Sequence, residues 1–306
     1  MSGWRASDIP SQRGRSAVVT GTGGLGYEDA LALARAGGEV IIAGRNPYRG
    51  ADAVARIRSR QPNANVRFAL LDLADIRSVR SFGSRLRAER ESLDLLINNA
   101  AVMSPPTRQV TPDGFELQFG TNHLGHFALT AELLPLLRKG SAPRVVNVSS
   151  VAARSGAIDF DNLQAERSYQ PMPVYSQSKL ANLMFAFELQ RRSWTAGWGI
   201  TSVAAHPGIS RTELIPNGAG RMSLAGLART LLWFLFQPPA QGALPTLYAA
   251  TAADVMPGGY YGPARLGEPR GPPPVARVPP QADDDAVASR LWDVSARLTG
   301  ANFALQ

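Results

Sequence analysis

The chain contains no cysteine, which removes disulfides, thiolate metal sites and a cysteine nucleophile from the chemistry open to it. That suits a reducing compartment, and a cytoplasmic location is the expectation. Histidine is scarce as well: only His123, His126 and His206 occur. The first two sit at a spacing open to a metal, but no third ligand is placed beside them. A structural role without metal is the expectation. Charged residues make up only 18% of the chain, and the net charge of +8 comes from scattered arginines rather than blocks. A nucleic-acid footprint would cluster basic and aromatic residues, and no such cluster exists. Arg56, Arg58 and Arg60 read most simply as a solvated face. Long apolar runs are missing too. Residues Met1 to Arg15 are polar and lack the apolar core of a secretory leader. The most apolar stretch, Leu224 to Phe236, is broken by Arg229 and is too short to cross a bilayer. No internal repeat is evident.

What is present is ample for a large core: 306 residues, 44% of them hydrophobic. Ser16-Ala-Val-Val-Thr20 reads as a short buried strand and runs straight into Gly21-Thr-Gly23-Gly24-Leu25-Gly26. Glu28 to Ala36 has helical composition, and a second apolar run, Val40 to Ala43, follows the Gly37-Gly38 pair. A glycine-rich turn between strand and helix lets the backbone approach a pyrophosphate, and the helix N-terminus offers free N–H groups. The second strand ends in Gly44-Arg45-Asn46, with no carboxylate to bond the ribose hydroxyls of NAD. Arg45 can offer a planar fork to the 2′-phosphate of NADP, although an arginine at a strand end is also compatible with plain exposure.

The alternation continues. Strands are expected at Val66–Leu71, Leu93–Ile97, Val145–Val148 and Thr201–Ala205, and helices at Ile76–Arg90, Phe115–Leu137 and after Tyr175. This pattern predicts a parallel, doubly wound sheet with helices on both faces. Ligands of such sheets sit beyond the carboxyl ends of the strands. Gly21, Arg45, Asp72, Asn98, Ser150 and Pro207 each fall at or just past such an end.

Tyr175-Ser-Gln-Ser-Lys179 opens a run of good helix formers, so Tyr175 and Lys179 share one helix face, one turn apart. An ammonium beside a phenol favours the phenolate and pulls its pKa from about 10 towards neutrality. A surface Tyr–Lys pair is the commoner meaning of that spacing taken alone.

Together these motifs resemble the short-chain dehydrogenase/reductase superfamily from Ser16 to about Leu214. They are the Thr20-Gly21 turn, Asp72-Leu73, Asn98-Asn99-Ala100, Thr121-Asn122-His123, Val148-Ser149-Ser150, Tyr175 to Lys179 and Pro207-Gly208. Gly44-Arg45-Asn46, Asn122 to Phe127, Ser178 to Asn182, Gly259 to Gly262 and the Leu291–Gly300 tail are similar to its retinol-dehydrogenase-like branch. The resemblance implies a single Rossmann-type domain over residues 1–306. Tyr175 would be the acid/base, Lys179 would lower its pKa and bond the nicotinamide ribose, and Ser150 would steady the substrate oxygen. Asn122 would hold a water relaying protons from Lys179. The cofactor would meet Gly21, Gly23, Gly24, Leu25 and Gly26 at the turn, Arg45 and Asn46 at the second strand, and Asp72 and Leu73 at the third. Asn99, Ala100, Pro207, Gly208 and Thr212 would complete its site. NADP(H) is the preferred cofactor and NAD(H) the lesser alternative.

The glycine turn is one residue shorter than the family's T-G-x-x-x-G-x-G, and Ala101 stands where glycine is usual. The short turn is the one support for a rival reading, a non-catalytic dinucleotide-binding regulator or scaffold. An arm over residues 1–14 is expected, with a Pro/Gly-rich loop over 263–282 and a last helix over 283–300. Residues 213–240 would form an apolar substrate lid, which also reads as a core or interface helix. The chain is thus expected to interconvert a lipophilic alcohol and its ketone or aldehyde. Membrane contact would be peripheral at most. The stripe after Lys179 is expected to serve as core or subunit interface, and the resemblance adds a homodimer or homotetramer through the Phe115–Leu137 and Tyr175–Arg191 helices.

Overall fold

Ala17-Val18-Val19 and Val40-Ile41-Ile42 are apolar and buried on both faces of their strands, so the middle of the sheet is built to be covered from both sides. A computed structural model of the chain describes residues 3–208, 237–263, 273 and 275–304. Seven parallel strands, β1 (Ser16–Thr20), β2 (Glu39–Gly44), β3 (Val66–Leu70), β4 (Leu95–Asn98), β5 (Arg144–Val148), β6 (Thr201–Ala205) and β7 (Tyr260–Tyr261), form one sheet in the order β3-β2-β1-β4-β5-β6-β7. The order reverses at β1, and the crevice above β1 and β4 is the switch point where such sheets bind ligands.

Adjacent residues of one strand serve opposite cores. Val18 packs with Ile41, Leu96 and Val145 on the face covered by α3 (Ile76–Glu89), α4 (Gly125–Leu137) and α5 (Pro171–Ala196). Ala17 and Val19 pack with Ile42, Ile97 and Val203 on the other. That face is covered by α1 (Gly24–Arg35), α2 (Pro47–Arg60) and α6 (Leu244–Thr251). The last helix, α7 (Asp285–Thr299), starts on Asp284, whose carboxylate accepts from the Val287 N–H at 3.0 Å, a cap worth about 1 kcal/mol. Its Trp292 meets Phe127, Phe185 and Phe303 at ring-centroid distances of 4.9, 5.7 and 4.3 Å. The apolar stripe after Lys179 is therefore core: Leu180, Leu183, Met184 and Leu189 are fully buried within the chain.

Three sequence expectations change. Tyr175 does not open its helix. α5 begins at Pro171, with Pro171 and Pro173 in a first turn whose N–H groups have no intrahelical partner to lose. The Phe115–Leu137 helix is not continuous: a short turn, Leu117–Phe119, leads into a π-helical turn, Gly120–Leu124, before α4. The arginines of α2 are not merely solvated. The Arg56 guanidinium lies 4.3 Å from the Tyr27 ring centroid, and Arg58 donates to the Val66 carbonyl at 2.8 Å. Thr212 and residues 213–236 of the expected 213–240 lid lie outside the described residues, as do parts of the 263–282 loop. Among the described residues no helix is long and apolar enough to cross a membrane.

Candidate active site

The glycine turn closes despite its short length. Gly21 takes φ +99° and Gly24 φ +54°, left-handed values that side chains resist, and α1 starts at Gly24 with Gly23 as its N-cap. The second left-handed glycine takes up the bend that a longer turn would spread over one more residue. A Cβ on Gly26 would meet the Asn99 side chain and the Gly21 carbonyl, each at 2.6 Å. Gly26 thus serves close packing under the turn and does not line the cleft.

Above the strand ends lies a cleft of about 760 Å³. Gly21, Gly23, Gly24 and Leu25 form its floor beside the N-terminus of α1, Arg45, Asn46, Asp72 and Leu73 one end, and Asn99 and Ala100 its middle. Ser150, Tyr175, Lys179, Pro207 and Gly208 close the other end. The fold therefore gathers nearly all the residues expected from sequence. Arg49 was missed, although it stands one turn after Arg45 and also lines the cleft. Neither guanidinium has a hydrogen-bond or ion-pair partner among the described residues. Met103 and Met172 were missed too. Met172 lies one helical turn before Tyr175, a spacing legible once the helix is known to begin at Pro171.

Tyr175 is buried and lines the cleft together with Ser150, whose hydroxyl accepts from the Ala152 N–H at 3.2 Å. Burial pushes the phenol up to about 12, and the nearby Ser150 hydroxyl pulls the other way. Lys179 lies 5.8 Å from the Tyr175 ring centroid, and its ammonium donates to the Val148 carbonyl at 3.1 Å. Burial pushes Lys179 down to about 8. Desolvation, not the lysine, therefore sets the phenol, and at neutral pH it holds its proton.

Asn122 is wholly buried and does not line the cleft. Its side-chain amide bonds both backbone groups of Val102, accepting from N–H at 2.7 Å and donating to C=O at 2.9 Å. It also donates to the Ser178 hydroxyl at 3.0 Å. The side chain is spent on pinning the loop after β4 and on Ser178. The backbone carbonyl of Asn122 accepts from His126. His123 bonds the Ser295 hydroxyl of α7 at 2.8 Å.

The residues present fit a dinucleotide. Two left-handed glycines leave backbone room below a helix N-terminus, and two free guanidiniums stand at the far end of the same cleft. The helix end and the arginines both favour anionic groups.

The sequence matches the family model described as short chain dehydrogenase over residues 15–219. Human retinol dehydrogenase 13 is 41% identical over 294 residues, spanning 94% of this chain and 85% of its own length. Mouse polyprenol dehydrogenase is 40% identical, over 97% of this chain and 88% of its own. A crystal structure of an uncharacterised protein from Mycobacterium paratuberculosis superposes with a TM-score of 0.82 at 39% identity, covering 99% of this chain and all of that one. The Pseudomonas aeruginosa RhlG/NADP active-site complex superposes with a TM-score of 0.65 at 26% identity, covering 82% of this chain and 94% of that one. With a tyrosine, a serine and a lysine gathered at the strand ends of this sheet, the chain belongs to the short-chain dehydrogenase family, on its retinol-dehydrogenase-like branch, and is an oxidoreductase of CH–OH groups.

Proposed function

We propose that the chain interconverts a lipophilic alcohol and its ketone or aldehyde with NADP(H), Tyr175 being the residue that gives and takes the proton. The observation that carries this reading is that Tyr175, Ser150 and Lys179 line one end of the cleft together, with the Lys179 ammonium 5.8 Å from the Tyr175 ring centroid. When bound, the nicotinamide supplies or accepts the hydride. The chain's own residues do the rest.

Tyr175 holds its proton at the hydroxyl oxygen, so at neutral pH it is ready to protonate the substrate oxygen as negative charge develops there. The Ser150 hydroxyl lines the same end of the cleft and can donate its one proton to that oxygen. Lys179 brings positive charge under the ring, which lowers the cost of that phenolate. In the oxidative direction the same phenolate takes the alcohol proton back.

NADP(H) rather than NAD(H) is supported by Arg45 and Arg49 at the end of β2, where no carboxylate stands to bond a ribose. A lipophilic substrate is supported by Val102, Met103, Val151, Ala152 and Met172, apolar residues on the Tyr175 side of the cleft. Retinol dehydrogenase 13 and polyprenol dehydrogenase carry names of lipophilic alcohols, in line with that wall.

The test is a fluorescence titration with NADPH and NADH, followed by turnover of n-alkyl aldehydes by the wild type and Tyr175→Phe. NADPH should bind at least about tenfold more tightly than NADH, and Tyr175→Phe should keep that binding while losing about a thousandfold or more in kcat. Equal affinity for the two nucleotides overturns the role of the arginines. Unchanged turnover in Tyr175→Phe removes the phenol from the mechanism.

A further inference from the structure

Between the cleft and the π-helical turn lies a buried histidine to which the chemistry above gives no part. His126 is 1% exposed and bonds through both ring nitrogens. Nδ1 lies 2.9 Å from the backbone carbonyl of Asn122, and Nε2 lies 2.9 Å from the hydroxyl of Thr20. A carbonyl oxygen can only accept, so Nδ1 carries the proton. A neutral ring then has a lone pair at Nε2, and the Thr20 hydroxyl must donate to it. The other acceptor within reach of that hydroxyl, the Ile97 carbonyl, is farther away at 3.3 Å.

This assignment closes every valence around Thr20. With its one proton given to His126, the hydroxyl oxygen keeps two lone pairs. The N–H groups of Asn99 and Ala100 fill them at 2.8 and 3.0 Å, the Asn99 N–H being shared with the Ile97 carbonyl at 3.1 Å. A proton on Nε2 would bring a third donor to two lone pairs. Burial also disfavours the imidazolium, as does the nearby Lys179 charge.

The bonds continue past Asn122 in the same sense. Its side-chain N–H donates to Ser178 at 3.0 Å, and the Ser178 hydroxyl donates to the Tyr175 carbonyl at 2.8 Å. Donor follows donor from the cofactor-facing backbone of Asn99 and Ala100, through Thr20, His126, Asn122 and Ser178, to the helix that carries Tyr175. Only one state of His126 satisfies both of its bonds in that run, which crosses Asn122 covalently from backbone carbonyl to side-chain amide.

We propose that His126, as the neutral Nδ1–H tautomer, is a positioning residue that couples the cofactor-binding strand ends to the catalytic helix. The coupling to cofactor rests on the NADP(H) reading above; the tautomer does not.

The tautomer is read directly from long-range proton–nitrogen correlation spectra of the 15N-histidine-labelled full chain at pH 7. His123→Gln and His206→Gln samples assign the signals by elimination. A protonated Nδ1 with a lone pair at Nε2 is expected for His126, and an Nε2–H tautomer or an imidazolium overturns the proposal. The coupling is read from NADPH titrations. Thr20→Val, which lacks the hydroxyl, should weaken binding about tenfold or more, and Thr20→Ser should restore it to within about threefold. Thr20→Val combined with Ser178→Ala, at the far end of the run, should lose clearly less than the product of the two single losses. Equal binding by Thr20→Val, or a strictly multiplicative double variant, overturns the coupling. Absence of NADPH binding by the wild type overturns the cofactor reading and the coupling with it, while the tautomer remains decided by the spectrum.

Discussion

The Ser104 hydroxyl donates to the sulfur of Met172 at 2.9 Å, joining the loop after β4 to the first turn of α5. Ser104 takes φ +50°, a left-handed value that a non-glycine residue adopts only when its surroundings enforce it. They do so here. The Gln118 side chain accepts from the Ser104 N–H at 2.7 Å and donates to the Pro171 carbonyl at 3.1 Å, while Tyr169 donates to the Pro105 carbonyl at 2.7 Å. Loop and helix are thereby fixed relative to one another on the substrate side of the cleft.

Met172 should therefore set how long a substrate the cleft favours. Replacing it with alanine removes an apolar wall and leaves Ser104 without its sulfur partner. Across n-alkyl aldehydes of increasing length, Met172→Ala should change the ratio of kcat/KM for long over short chains by about tenfold or more, since one methylene in an apolar pocket is worth about 1–3 kcal/mol. NADPH affinity should stay within about twofold. A chain-length profile that overlays on the wild type would assign the wall to other residues.

The two central glycines of the short turn should respond differently to the same change. Gly24 sits at φ +54°, where a side chain costs about 1–2 kcal/mol. Gly23 has φ −139°, and a Cβ there meets no atom within 4 Å. Gly24→Ala should lower the melting temperature by several degrees and weaken NADPH binding about tenfold. Gly23→Ala should leave the melting temperature within about a degree. Equal losses in the two variants would mean that backbone conformation is not what the turn needs.

Acid should destabilise the fold through its buried histidines. Burial pushes His123 down to about 3 and His126 to about 4, against an ordinary value of 6.5. Both are neutral in the fold, and the unfolded chain takes up their protons first. Their contribution is whole above pH 6.5 and is lost as pH falls from there towards 4. Asp29 acts with the opposite sign. Its carboxylate oxygens are buried without hydrogen-bond partners, and burial raises its pKa well above 3.8, so its contribution is lost as pH rises from that value. Thermal melts from pH 7 to pH 4.5 should show His123→Gln with a shallower acid loss than the wild type. Asp29→Asn should gain most at pH 7. Parallel curves for wild type and His123→Gln would exclude the histidine as a source of the acid loss.

Much of this architecture was legible because it depends on periodicity. β1 and β6 have the bounds that their apolar runs suggest, and residues at strand ends converge as a doubly wound sheet requires. Tyr175 and Lys179 were readable because a helix fixes what lies one turn apart. Other features depend on contacts between distant segments. α2 was overlooked because Gly50, Ala53 and Ile57 are its only buried residues, too narrow a stripe to stand out among arginines. β7 is two residues long and exists only because β6 offers an edge. The change of pitch at Gly120–Leu124 leaves no signal in residue type, yet it sets the direction of the Asn122 carbonyl. That direction decides what His126 can do.

The position of β1 in the middle of the sheet has a consequence for synthesis. Its N-terminal edge is completed by Asp94, 78 residues downstream, whose carboxylate accepts the Ser16 N–H at 2.7 Å and, through its other oxygen, the Ser141 N–H at 2.6 Å. A growing chain can pair β1 with β2, and β2 with β3, while the other side of β1 stays an open apolar edge until β4 emerges from the ribosome. Such an edge is a template for pairing with other chains. A pause in translation after β3 and before Leu95 lengthens the time that edge stays open, and should lower folding yield at high expression.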